Sequence, residues 1–242
     1  MTIPSHEFER LRRAVTGRSR SGLVLQPELS EAERERLATL VGRRAAGEPL
    51  QYLEETVDFG PLTLKIDRRA LIPRPETERV WEEAVSSLRE AGSGTVIVDL
   101  GTGSGVLALG LKHSFPAARV IGVDVSADAL SLARENGEAT GLEVEWIEGD
   151  LFDALPRTLE GRIDLIVSNP PYVATGDDLP TEIVDHEPHV ALYAGPFGTE
   201  VLARIADEGF WWVGTGGWVI CEIGNGQKER VEALFAAFDR EV

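Results

Sequence analysis

Val96-Ile97-Val98-Asp99-Leu100-Gly101-Thr102-Gly103-Ser104-Gly105 is an apolar, strand-like run that ends in an acid and breaks into a glycine-rich turn ahead of a helical pattern. Glycines at such a turn let the backbone approach a ligand closely. The spacing Gly-x-Gly-x-Gly differs from the dinucleotide fingerprint Gly-x-Gly-x-x-Gly, whose third glycine serves helix packing beside a pyrophosphate. Downstream, the strand-like Arg119 to Val123 ends in Asp124, about 20 residues on, where an acid meets ribose hydroxyls. A further short strand, Glu143 to Ile147, is followed by Glu148-Gly149-Asp150-Leu151-Phe152, so Asp150 and Phe152 are expected at the same crevice. With Ile163 to Ser168 and Trp218 to Ile223 the alternation of strands and helices from Thr95 onward predicts an α/β fold built on a doubly wound parallel sheet. Three strand ends then converge on one nucleoside.

Asn169-Pro170-Pro171-Tyr172 follows the apolar run Ile163 to Val167, at the rim of that sheet. Asn offers a side-chain carbonyl, the first Pro a backbone carbonyl of fixed direction, and Tyr a flat face. Two carbonyl oxygens accept both N–H bonds of a planar NH2 group, and the ring stacks on its conjugated system. The nitrogen lone pair is left pointing out of the plane, toward any electrophile held there. Read alone, the tetrapeptide is also compatible with an ordinary proline-containing turn after a strand. The glycine loop shifts the balance toward the amino-group clamp.

These residues together resemble class I S-adenosylmethionine-dependent methyltransferases, and among them the release-factor glutamine methyltransferases, which methylate a glutamine side-chain amide. The likeness extends from about residue 43 to residue 231. It includes Gly47-Glu48-Pro49-Leu50-Gln51-Tyr52, Leu71-Ile72-Pro73-Arg74-Pro75-Glu76-Thr77-Glu78, Glu187-Pro188, Ala191-Leu192, and Glu222-Ile223-Gly224 with Gln227. The resemblance implies a Rossmann-like methyltransferase sheet, S-adenosyl-L-methionine as cofactor with S-adenosylhomocysteine as product, and a peptide chain release factor as protein substrate in translation termination. It assigns the methionine portion of the cofactor to Asp99 and the turn Gly101, Thr102, Gly103 and Gly105, the ribose to Asp124, and the adenine to Asp150, Leu151 and Phe152. Asn169 borders both ligands, and Asn169, Pro170, Pro171 and Tyr172 form the catalytic clamp. For Asp99 a strand-end acid capping the loop is an equally good reading, and the two roles are compatible. Ala194 and Phe197 stand where the family usually has a glycine and an acid.

The domain boundaries expected are a helical substrate-recognition module over 1–45, a linker over 46–90, and a cofactor-binding catalytic domain over 91–242. Phe8, Leu11 and Val15 share a helical face, and Ser30 with Glu33 makes a capping box ahead of Leu37, Leu40 and Val41, so the module reads as two short helices. Val57 to Phe59 and Leu62 to Ile66, joined through Gly60-Pro61, read as a hairpin. The Arg-Pro-Glu-Thr loop at 74–77 lies over the cofactor by resemblance; its residues alone read equally as a rigid, proline-led helix start. Val231, Leu234, Phe235 and Phe238 predict a last amphipathic helix. The family continues with two antiparallel strands. With the sequence running to Val242, the strand around Ile220 is expected at the sheet edge.

Composition excludes several classes. The 242 residues are 43% hydrophobic, enough for a sizeable core. The apolar runs are strand-sized and no signal-peptide pattern opens the chain, which predicts a cytoplasmic protein with no membrane partner. A formal charge of −17 argues against binding a nucleic-acid backbone. Arginines nonetheless concentrate in the first 45 residues, to face either an acidic partner or solvent. The single cysteine, Cys221, excludes a disulfide framework and is expected as a buried strand thiol; Trp211, Trp212 and Trp218 are expected to pack. His186 and His189 lack metal-helix spacing, and no metal is expected. Two alternatives remain open: methylation of an exocyclic amino group of adenine or guanine in nucleic acid, and a non-catalytic scaffold on the same fold.

Overall fold

A computed structural model describes residues 3–88 and 91–236. Its first part is helical: α1 (Ser5–Thr16), α2 (Arg20–Leu25), α3 (Glu31–Ala45) and α4 (Leu50–Glu54). The predicted capping box starts α3, with Glu33 N–H donating to Ser30 Oγ and Ser30 N–H to Glu33 Oε2. The expectation of two helices before residue 45 is corrected to three. Helix α2 has only six residues and contains Gly22, a poor helix former, so periodicity missed it, although Ser19 caps it by accepting from Gly22 N–H. Leu11, Leu37, Leu40, Leu50 and Leu53 form one apolar core, so by packing the module runs through α4, past the expected boundary at 45. Phe8, expected on the buried face, is 39% exposed. Arg10, Arg18, Arg43 and Arg44 pair with Glu54, Glu33, Glu48 and Glu7, so much of the arginine charge is neutralised internally.

The hairpin is present as β1 (Thr56–Phe59) and β2 (Leu62–Lys65), antiparallel, with Phe59 opposite Leu62. Then α5 (Pro75–Ser87) leads into β3 (Val96–Leu100), α6 (Val106–Ser114), β4 (Arg119–Asp124), α7 (Ala127–Thr140), β5 (Glu145–Glu148), β6 (Ile163–Ser168), β7 (Val173–Ala174), α8 (Thr181–Val184), β8 (Tyr193–Gly195), α9 (Glu200–Trp212), β9 (Val213–Cys221) and α10 (Lys228–Phe235). The main sheet is wholly parallel in the order β5-β4-β3-β6-β9. Strand β9 closes one side of it among the described residues, as the edge expected around Ile220.

Period-2 alternation explains both faces. Ile97 joins Phe59, Leu107, Leu109 and Leu165 on one side, while Val98 and Leu100 join Ile121, Val123, Ile166 and Ile205 on the other. Burial on both faces accounts for the unbroken apolar runs. The chain runs outward from β3 to β4 and β5 on one side, then crosses to β6 on the other side of β3, so the strand order reverses there and a crevice opens beyond the carboxyl ends.

Three packing expectations change. Strand β9 starts at Val213 rather than Trp218, because the glycine-rich segment with Gly214, Gly216 and Gly217 joins it as an irregularity where the register against β6 shifts. Trp212 is buried and packs as expected, but Trp211 and Trp218 are 70% and 51% exposed. Cys221 borders the core in β9, and burial pushes its thiol up to about 12. In the last helix Val231 is buried and Phe235 touches the core; Phe238 lies outside the described residues.

Candidate active site

A cavity of about 310 Å³ sits at the switch point. Of the residues expected there, Asp99, Gly101, Thr102, Gly103, Asp124, Asp150, Leu151, Asn169, Pro170 and Pro171 line it. Three do not. Gly105 caps α6 facing away, and a Cβ there would lie 2.8 Å from Trp146 Cη2 and 3.2 Å from Ala133 Cβ, so its glycine serves packing. Phe152 is 1% exposed and stacks on Trp212 with centroids 5.8 Å apart, which places it in the core beneath the cavity. Tyr172 is half-buried outside the cavity wall. Burial, with the charge of Glu222, pushes its phenol up, and its backbone carbonyl accepts from Gln227 Nε2 at 2.9 Å.

Asp99 carries the loop. Its Oδ2 accepts from Thr102 Oγ1 and from Ala108 N–H in α6, so the capping role is real. Its Oδ1 is buried without a partner, and burial, with help from the charge of Asp124, pushes the carboxyl up to about 7. Above it, Gly101 and Gly103 adopt φ of 72° and 56°, and a Cβ on either would meet nothing within 4 Å. The turn therefore presents bare backbone to open space. Asp124 holds the turn from the other side: its Oδ2 accepts from Gly103 N–H at 2.8 Å and its Oδ1 from Ser126 N–H at 2.9 Å. Burial raises its pKa despite these bonds. Asp150 reaches the cavity with both oxygens 2.8 Å from Arg204 Nη1.

On the opposite wall, Asn169 Nδ2 donates to Thr77 Oγ1 at 3.0 Å, and Thr77 Oγ1 donates to Glu222 Oε2 at 2.7 Å. Asn169 Oδ1 is buried with no partner. The Leu71-to-Thr77 segment is pinned from below by Glu187, which accepts from Ile72 N–H at 3.1 Å and from Arg74 Nη2 at 2.6 Å. In the sequence Glu187 and Glu222 stand only as marks of the resemblance, and Thr77 only as the end of the loop expected over the cofactor. A signal was available for Thr77, a polar residue in register with Val80 and Ala84 on the buried face of α5.

Against known proteins, residues 84–190 match the profile of the Methyltransferase small domain family and residues 2–53 that of the PrmC N-terminal domain. The chain is 39% identical over 234 residues to a release factor glutamine methyltransferase of Geobacter sulfurreducens, covering 95% of this chain and 80% of that protein. It is 42% identical over 211 residues to one of Deinococcus radiodurans, covering 85% and 74%. The chain belongs to the release factor glutamine methyltransferase family. The resemblance drawn from the motifs is borne out, and the enzyme is a methyltransferase. A methyltransferase structure from Pyrococcus furiosus, 20% identical, superposes with a TM-score of 0.55 over 84% of this chain and 87% of that one, in agreement with the fold.

Proposed function

We propose that this chain transfers a methyl group from S-adenosylmethionine to the side-chain amide nitrogen of a glutamine in a peptide chain release factor. The observation that carries this reading is Asn169 Oδ1, a buried acceptor left without a donor in the wall of the cavity. Such an atom costs on the order of 1–3 kcal/mol unless something donates to it. An amide NH2 does so. With Asn169 Oδ1 taking one N–H and the Pro170 backbone carbonyl the other, the amide is held in plane and its lone pair faces the cavity. The proton left on the methylated amide passes to water or a nearby carbonyl, so no general base acts before transfer.

The cofactor, when bound, supplies an electrophilic methyl on a sulfonium. The residues present fit it: Asp99 Oδ1 is a second buried orphan acceptor, suited to an ammonium group, and the open turn at Gly101 and Gly103 accommodates the methionine portion. Asp124 is assigned to the ribose, and Asp150 and Leu151 to the adenine. Tyr172, outside the cavity and held through its backbone carbonyl by Gln227, is assigned here to supporting the wall, in place of stacking on the amide.

The charge of −17 favours a protein substrate over nucleic acid. The test is transfer of labelled methyl to a release factor, to nucleic acid and to free glutamine, with Asn169→Ala alongside wild type. Asn169→Ala is expected to bind cofactor normally and to lose about 100-fold or more in kcat. Faster transfer to nucleic acid than to release factor, or wild-type turnover by the variant, refutes the proposal.

A further inference from the structure

Asn169 has two chemically opposite ends, and only the carbonyl end serves an incoming NH2 group. Something must decide which end faces the cavity. We infer that Glu222, acting through the Thr77 hydroxyl, fixes the orientation of the Asn169 amide and so makes the site a receptor for amide N–H donors. The inference rests on the proposed reaction and deepens it. Both are positioning residues, since neither is asked to touch the reacting atoms.

The argument is one of proton direction. A carboxylate has no proton to give, so at Glu222 the Thr77 Oγ1–H donates. Thr77 has one hydroxyl proton, and Glu222 takes it. Toward Asn169, Thr77 Oγ1 therefore offers lone pairs alone, and the atom 3.0 Å away has to be the Nδ2 donor. The other end, Oδ1, is then left buried and unpartnered on a residue of the cavity wall. Thr77 is 1% and Glu222 8% exposed, so water has little access to either. Without Glu222, the Thr77 proton is free to turn to Asn169 Oδ1. The amide turns over, and an NH2 group then confronts the substrate NH2, donor against donor.

Four variants and three readouts test this. Thr77→Val, nearly isosteric, and Glu222→Ala each remove one link and are expected to lower kcat by about 10- to 100-fold. Cofactor Kd should stay within about twofold, which also reports that the cavity is intact. Thr77→Ser keeps the hydroxyl and should recover kcat to within about threefold of wild type. The double variant should lose no more than the worse single one, because a broken chain is not broken twice. Independently of turnover, an NMR cross-peak between the Asn169 side-chain NH2 and the Thr77 methyl should be present in wild type and absent in Glu222→Ala. Unchanged kcat in Thr77→Val, additive losses, or the cross-peak persisting in Glu222→Ala overturns the relay. Were wild type inactive on release factor while the cross-peak still depended on Glu222, the substrate assignment would fall and the relay would stand.

Discussion

Asp99→Asn separates the two roles that Asp99 combines. In the wild type, a folded-state pKa of about 7 against 3.8 means that the native protein retains a proton the unfolded chain has lost. The contribution of Asp99 to stability is therefore complete below pH 4, declines as pH rises, and is lost through pH 7. At about 1.4 kcal/mol per unit, holding the ionised form at pH 8 costs on the order of 2–4 kcal/mol. The amide variant keeps one oxygen for Thr102 and Ala108 and escapes that cost, but it places an NH2 where the orphan Oδ1 stood, at about 1–3 kcal/mol. The net expectation is a gain of about 1–2 kcal/mol at pH 8, or about 2–6 °C in Tm, with no gain at pH 4 to 5. Cofactor affinity should move the other way. Loss of a carboxylate facing an ammonium costs about 1.5–3 kcal/mol, roughly 10- to 150-fold in Kd. A proton should also leave on binding near neutral pH, because burial favours the protonated form of Asp99 and an ammonium partner drives it to ionise. Calorimetry in buffers of different ionisation enthalpy reads that release in wild type and its absence in the variant. If Asp99→Asn binds cofactor like wild type and melts identically at pH 5 and pH 8, both the buried-acid argument and the ligand assignment are wrong.

Gly122→Ala in β4 should destabilise by about 1–3 kcal/mol in thermal melts, since its Cβ would lie 2.5 Å from Trp146 Cζ3 and 3.0 Å from Thr102 Oγ1. Gly42→Ala in α3, where a Cβ meets nothing within 4 Å, should instead stabilise by about 0.5–1 kcal/mol, and equal effects would discredit the packing argument. Glu187→Ala should cost about 1–3 kcal/mol and accelerate hydrogen exchange at the Ile72 amide, because Arg74 is partly exposed and rehydrates while the buried Ile72 N–H does not; unchanged exchange would show that the segment is held by other contacts.

Much of the fold was legible because it is written locally. The runs Val96 to Val98 and Ile163 to Val167, the Ser30 and Glu33 cap and the hairpin turn at Gly60 each depend on neighbours a few residues apart, and each formed. The misreadings arise where a local pattern has two structural outcomes. Gly214 to Gly217 has the composition of a turn, yet the parallel partner β6 draws it into β9 as an irregularity in register. Phe152 follows the strand end as an adenine contact would, but Leu151 at φ 48° turns the chain and buries the ring on Trp212. Gly105 looks like a third ligand glycine and is kept clear by Trp146, which no spacing rule mentions.

The candidate site was legible as a set of residues and illegible as a set of atoms. Asn169, Asp99 and Asp124 stand at strand ends that the alternation of elements brings together, so their convergence follows from topology. Which oxygen of each faces the ligand does not. Asp99 divides its two oxygens through bonds to Thr102 and Ala108, within its own loop and helix. The polarity of Asn169 depends on Thr77, 92 residues away, and through it on Glu222, which is 145 residues from Thr77 in the chain. A tetrapeptide supplies a carbonyl and an amino group in equal measure and has no means of choosing between them. The choice is made when α5 packs beside β6 and β9 and an acid at the end of β9 claims the proton of a threonine in between. On this argument, the sequence Asn-Pro-Pro-Tyr placed at an equivalent strand end without a Thr77–Glu222 pair would bind its acceptor amine in both amide orientations, and its selectivity for N–H donors would fall accordingly.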